Sequence, residues 1–164
     1  MLIRTYQSSD LDRCRELWTE LTQHHRDIYD SQKIGGDNPG LAFDEHLEEA
    51  GPERIFLGVV DDKIIGLIGL LQDEKQGEVE PIVISPQYRG TGYGKQLLQH
   101  VIKVAEEAGI WRLSIRPVAR NIDAIRLFHD QGFDALGRIE LVMSIKGGKH
   151  LVDGPELFNH AFKF

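Results

Sequence analysis

The chain has 164 residues, 41% of them hydrophobic, and a formal net charge of -7 from 26 acidic and 19 basic side chains. That length buries the core of one domain without staples, and the acidic balance excludes a broad nucleic-acid-binding face, which needs clustered Lys and Arg. The single cysteine, Cys14, excludes an internal disulfide framework, and no segment reaches the roughly 20 apolar residues that span a bilayer. A cytoplasmic protein is expected, with no nucleic-acid or membrane partner and one domain over residues 1–164.

Residues 2–6 suit a short strand, after which Ser9 is placed to cap a helix whose apolar face holds Leu11, Cys14, Leu17, Trp18 and Leu21. Residues 24–43 are polar and rich in turn formers, and the acidic stretch 44–50 has helical character. Two strands are expected at 54–60 and 63–71, joined at Asp61-Asp62, and a third at 78–84. Leu97, Leu98, Val101, Ile102, Ala105 and Ala108 recur at helical spacing, with Gly109 just past the helix end. A strand follows at 111–115. Asn121 then caps a helix that runs to about Gln131 and stops at Gly132, and residues 138–145 read as a further strand. Residues 151–164 read as a C-terminal appendage.

The third strand runs through Ser85-Pro86 into Arg89-Gly90-Thr91-Gly92-Tyr93-Gly94-Lys95, where a helix begins. First-turn amides have no intrahelical partner and the helix dipole is positive there, so a strand, a glycine turn and a helix start together make an anion trap. Glycines at 90, 92 and 94 clear space for a pyrophosphate, and Arg89 and Lys95 flank it with charge. A P-loop reading fails because Gly94-Lys95 is followed by Gln96 instead of Ser or Thr. A dinucleotide fold fits poorly, since its glycine spacing is different and antiparallel-looking strands precede the loop.

The run from Ile82 through Arg89-Gly90-Thr91-Gly92-Tyr93-Gly94 to Leu98 resembles the acyl-CoA signature of the GNAT superfamily of N-acetyltransferases, with Arg89, Gly92 and Gly94 in its fixed positions. A second segment, Asn121 through Ala124, Phe128 and Gly132-Phe133, is similar to a later motif of that family. The resemblance implies an α+β fold: a splayed, mostly antiparallel mixed sheet flanked by helices. It implies acetyl-CoA as cosubstrate, with pantetheine along Ile82, Val83 and Ile84, pyrophosphate on the loop from Arg89 to Lys95, and Asn121 and Phe128 near the cofactor. Asn121 serves equally as a plain helix cap.

An amine is protonated in water at neutral pH, so acyl transfer to it needs a proton acceptor. Glu80, just upstream of the proposed pantetheine segment, is the first candidate, and Glu78 is the second, on the same sheet face if the strand is regular. The position where many relatives carry a tyrosine to protonate the thiolate is Phe128, which has no proton to give. His129 points about 100° away from it on a helix and reads as a surface residue. His25 and Tyr29, with Asp27 and Asp30, fall after the first helix and are candidates for contact with the acceptor, a small-molecule or protein amine. The histidines lack metal-ligand spacing, so no metal is expected. A non-catalytic acyl-CoA-binding regulatory module is the alternative. A homodimer would cover sheet edges and the tail residues Leu157, Phe158, Phe162 and Phe164.

Overall fold

The computed structural model describes residues 1–143, 145 and 152–164. In chain order the elements are β1 (Leu2–Thr5), α1 (Leu11–Tyr29), α2 (Ala42–Ala50), β2 (Ile55–Val60), β3 (Lys63–Asp73), β4 (Gln76–Ile84), α3 (Tyr93–Glu107), β5 (Arg112–Ile115), α4 (Ile122–His129), β6 (Asp153–Leu157) and β7 (His160–Lys163). β1 to β5 form one sheet in sequence order, antiparallel except for the parallel β4–β5 junction, and β6–β7 is a separate hairpin. Among the described residues no helix is long and apolar enough to cross a membrane.

Strand alternation splits the core in two. Ile55, Leu57, Leu67 and Val83 face Cys14, Leu17, Phe43 and Ala50 of α1 and α2. Phe56, Ile68, Leu70, Val79 and Ile84 face Leu97, Leu98 and Val101 of α3 and Phe128 of α4. Cys14 is fully buried, and burial pushes its thiol up to about 12, so it serves as a core residue. The β2–β3 turn has both Asp61 and Asp62 at positive φ, 47° and 60°, the turn whose twist matches two antiparallel strands.

Three expectations are corrected. Ser9 does not cap α1: it lies within a tight turn, Ser8–Asp10, and Asp10 instead accepts from the Gln7 amide at 2.8 Å and pairs with Arg4. The first helix does not stop near residue 24. It continues to Tyr29, ending at Asp30 in the left-handed conformation, because residues 24–29 are acceptable helix formers and Arg26 ties the turn back through Ile34 O and Gly36 O. Within 138–145, the described residues 138–143 and 145 form no strand; residue 144 lies outside the description. Their β-branched and apolar side chains have the propensity, but no edge among the described residues pairs with them, and Val142, Met143 and Ile145 stand 85%, 87% and 89% exposed.

Candidate active site

The β3–β4 register contains an irregularity. Ile68 pairs with Ile82 and Leu70 with Val79, so Glu80 and Pro81 together oppose the single Gly69. This bulge resets the alternation. Val79 faces α3, Glu80 shares the α2 side with Glu78, and after the extra residue Ile82 and Ile84 face α3 again. Gly69 fits because a Cβ there would collide with the Glu80 carbonyl and come within 2.7 Å of His46 Nε2.

β4 pairs with β5 only over Gln76 to Val79, opposite Arg112 to Ile115, so among the described residues no strand pairs with the edge of β4 from Glu80 to Ile84. The Ser85 amide bonds Ile65 O at 2.8 Å, which fixes the phase of the antiparallel ladder. By alternation the amides of Ile82 and Ile84 face away from β3, into the cleft that β5 leaves. Ser85 is fully buried at the end of this edge, where it accepts from Arg13 Nη2 at 2.5 Å and donates to Glu20 Oε2 at 2.6 Å, bolting α1 to β4.

From Ser85 the chain makes a tight turn, Pro86–Tyr88, and reaches α3 through Gly90 and Gly92 at φ 73° and 86°. A Cβ at either glycine would meet nothing within 4 Å, so glycine is required here for its φ and the space beside it is open. Gly92 is the N-cap of α3, no side chain caps this end, and the first helical bond is Gln96 N to Gly92 O at 3.1 Å. The amides of Tyr93, Gly94 and Lys95 are therefore without intrahelical acceptors. This cradle suits a pyrophosphate. Arg89 has a structural duty: its Nε donates to Ile84 O at 2.9 Å, closing the turn, and partial burial lowers its pKa while Glu20 and Asp27 of α1 oppose this. Thr91 Oγ1 likewise donates to Tyr88 O at 2.6 Å, and Lys95 is exposed.

Glu78 and Glu80 converge on Arg116, just past β5. Arg116 makes a two-pronged ion pair with Glu78, and its Nη2 lies 3.9 Å from Glu80 Oε2. Partial burial pushes the Glu80 carboxyl up, and the neighbouring Glu78 adds to this while Arg116 opposes it. Beside them a cavity of about 410 Å³ opens between α2 and the β4–β5 junction, lined by Glu49, Asp73, Glu78, Arg112 and Arg116.

Asn121 caps α4, its Oδ1 accepting from Ala124 N at 3.2 Å. Phe128 is 5% exposed and packs edge-on to Phe133 within the α3-side core; His129 is exposed, as expected. His25 and Tyr29 lie on the last turns of α1 and not in a following loop, because the helix outlasts its apolar pattern. The guanidinium of Arg120, the residue before Asn121, sits 4.8 Å from the Tyr29 ring centre. Sequence reasoning missed Arg116, whose partners depend on strand register, and His46, which reads as one more polar residue in an acidic helix. Among the described residues no cluster of His, Cys, Asp or Glu could hold a metal ion.

The profile of the Acetyltransferase (GNAT) family matches residues 11–133. A Mycobacterium leprae protein, ML0378, is 31% identical over 144 residues, which are 84% of this chain and 35% of that protein, so the chain spans about a third of its relative's length. Two crystal structures share the fold. A GNAT-family acetyltransferase of Staphylococcus aureus superposes with a TM-score of 0.67 at 23% identity, covering 91% of this chain and 94% of its own. The ribosomal-protein-S18-alanine N-acetyltransferase of Escherichia coli gives 0.63 at 20% identity, covering 80% and 76%. A splayed sheet that runs through an open strand edge into an uncapped, glycine-led helix start, with a family profile over most of its length, is decisive: the chain belongs to the GNAT family of acetyltransferases.

Proposed function

We propose that the chain is a cytoplasmic N-acetyltransferase that moves an acetyl group from acetyl-CoA to an amine acceptor directly, in a ternary complex. The observation that carries this reading is the unpaired edge of β4 leading without a break into the uncapped start of α3. Acetyl-CoA supplies an activated thioester. Along the chain's own residues, the Ile82 to Ile84 edge orients the pantetheine arm and offers amides to polarise a carbonyl. Gly90 to Lys95 hold the pyrophosphate, and Asn121, which caps α4 through its Oδ1, keeps an NH2 group with which to bond the cofactor. Glu80 takes the proton from the amine, with Glu78 held in reserve by Arg116. Water reprotonates the sulfur, since buried Phe128 has no proton to give and thiols are not strongly basic leaving groups. The acceptor approaches from the α1–α2 side, past Tyr29 and His25. The protein-alanine acceptor named for the Escherichia coli neighbour puts peptide amino termini beside small amines in an acceptor screen.

Thermal shift with acetyl-CoA, CoA, NAD and ATP tests the cofactor. A ligand at about 100 times its Kd stabilises the fold by about 2.7 kcal/mol. A rise with acetyl-CoA and CoA alone supports the reading, and no CoA effect at millimolar ligand overturns it. Phe128 favours one other reading, an acyl-CoA-binding regulatory module; CoA binding with no acceptor modified in the screen would select it.

A further inference from the structure

We propose that His46 is a positioning residue for this reaction: its imidazole, held on α2 against Trp18, wedges under the Gly69–Glu80 bulge and fixes where the Glu80 carboxylate stands. The inference rests on Glu80 as the base. His46 is 5% exposed, and its Nε2 is closed off from solvent and makes no hydrogen bond of good geometry, although the Glu80 backbone is near enough to act on its titration as a bonding partner. An orphaned buried N–H costs about 1–3 kcal/mol, so a ring kept in this place needs something that holds it. Trp18 does, with ring centres 5.3 Å apart at 42°. On the other side the ring meets the bulge. The space a Cβ of Gly69 would take is shared by the Glu80 carbonyl and His46 Nε2, so the missing side chain of Gly69 is what lets the imidazole reach the strand.

The polar atom that Nε2 faces is thus the backbone oxygen of the very residue whose carboxylate is the base. A small slide closes an Nε2–H to Glu80 O hydrogen bond and favours that tautomer. The charged groups around the pair are Glu49 of α2, Glu78 of β4 and Arg116 after β5. Burial pushes the His46 pKa down, so the ring is neutral at pH 7 and acts on the bulge through its one Nε2–H donor. Without the wedge the bulge relaxes outward, and Glu80 loses the partial burial that raises its pKa.

The test is an NMR titration of the Glu80 carboxyl in the wild type, His46→Phe and His46→Gln, beside steady-state kinetics. The phenylalanine keeps the packing on Trp18 and removes the donor; the glutamine restores a donor. In His46→Phe the Glu80 midpoint moves down towards the ordinary carboxylate range, and kcat falls about tenfold to a hundredfold, the cost of a slightly misplaced group, while KM for acetyl-CoA holds. His46→Gln recovers both. A Glu80 curve in His46→Phe that overlays the wild type overturns the proposal. If the curve moves but Glu80→Gln acetylates at the wild-type rate, the wedge stands and the assignment of Glu80 as base falls. Should His46→Phe not fold, the imidazole nitrogen shifts of the wild type decide: a neutral ring with the proton on Nε2 supports the wedge, and one with the proton on Nδ1 overturns it.

Discussion

Two carboxylates in this molecule are pushed in opposite directions, and each shift has a measurable sign. Asp10 accepts from Arg4 at 2.7 and 2.9 Å and from the Gln7 amide, which together hold its pKa below the usual range. The unfolded chain then binds the proton more readily than the fold does, so the pair's stabilisation is present above about pH 4 and is lost as pH falls through the lower folded value. Arg4→Met leaves a nearly buried charge without its partner; a loss of about 2 kcal/mol at pH 7, less than for a fully buried pair because Arg4 is partly exposed, should appear in urea melts. The acid limb of the wild type should shrink with it. Glu80 is shifted the other way. If it is the base proposed above, it works above its raised pKa, so kcat/KM should fall as pH drops through a value higher than the usual 4.3 or so for glutamate. Glu80→Gln should remove that limb and lower kcat/KM by about a hundredfold or more, with CoA binding unchanged by calorimetry. Glu80 stands out in the sequence as the proposed base because it lies just ahead of a glycine-loop motif. Its neighbour Arg116 does not, since only the parallel register of β4 with β5 brings it there.

At the scale of elements, α3 and its glycine turn were legible because periodicity and turn chemistry are local. The bulge was not: it arises from Gly69 on one strand and Glu80–Pro81 on the next, and alternation read along either strand alone has no sign of it. The strand expected at 138–145 fails for a related reason. Propensity supplies side chains that suit a ladder but not the second strand, and no described edge pairs with it. The turn itself allows a contrast between neighbours. Gly92 needs φ 86°, so Gly92→Ala should cost about 1 kcal/mol by differential scanning calorimetry and crowd the anion cradle, weakening CoA binding. A Cβ at Gly94 instead lies 3.6 Å from Leu127 and 3.7 Å from Ile84, ordinary contacts. Gly94→Ala should leave the melting temperature close to wild type.

At the scale of the molecule, the sheet has no face to spare: alternate residues of β2, β3 and β4 feed the α1–α2 core and the α3–α4 core. Neither core can open without stripping the other of its floor, so the two should melt together. Leu98 of α3 is fully buried on one side of the sheet, and Trp18 of α1 lies on the other. Leu98→Ala removes buried methyl groups and leaves a void, a loss of about 3 kcal/mol. In a Trp111→Phe background, which silences a tryptophan that is 71% exposed, fluorescence reports on Trp18 alone. The urea midpoint seen by Trp18 should then shift as far as the one seen by far-ultraviolet circular dichroism, although the void lies across the sheet from the probe. A Trp18 transition that stays at the wild-type midpoint while the dichroism moves would mean that the α1–α2 core holds its part of the sheet without α3. In that case the cleft between β4 and β5 would have a mobile wall on the cofactor side and a fixed one beneath Glu80.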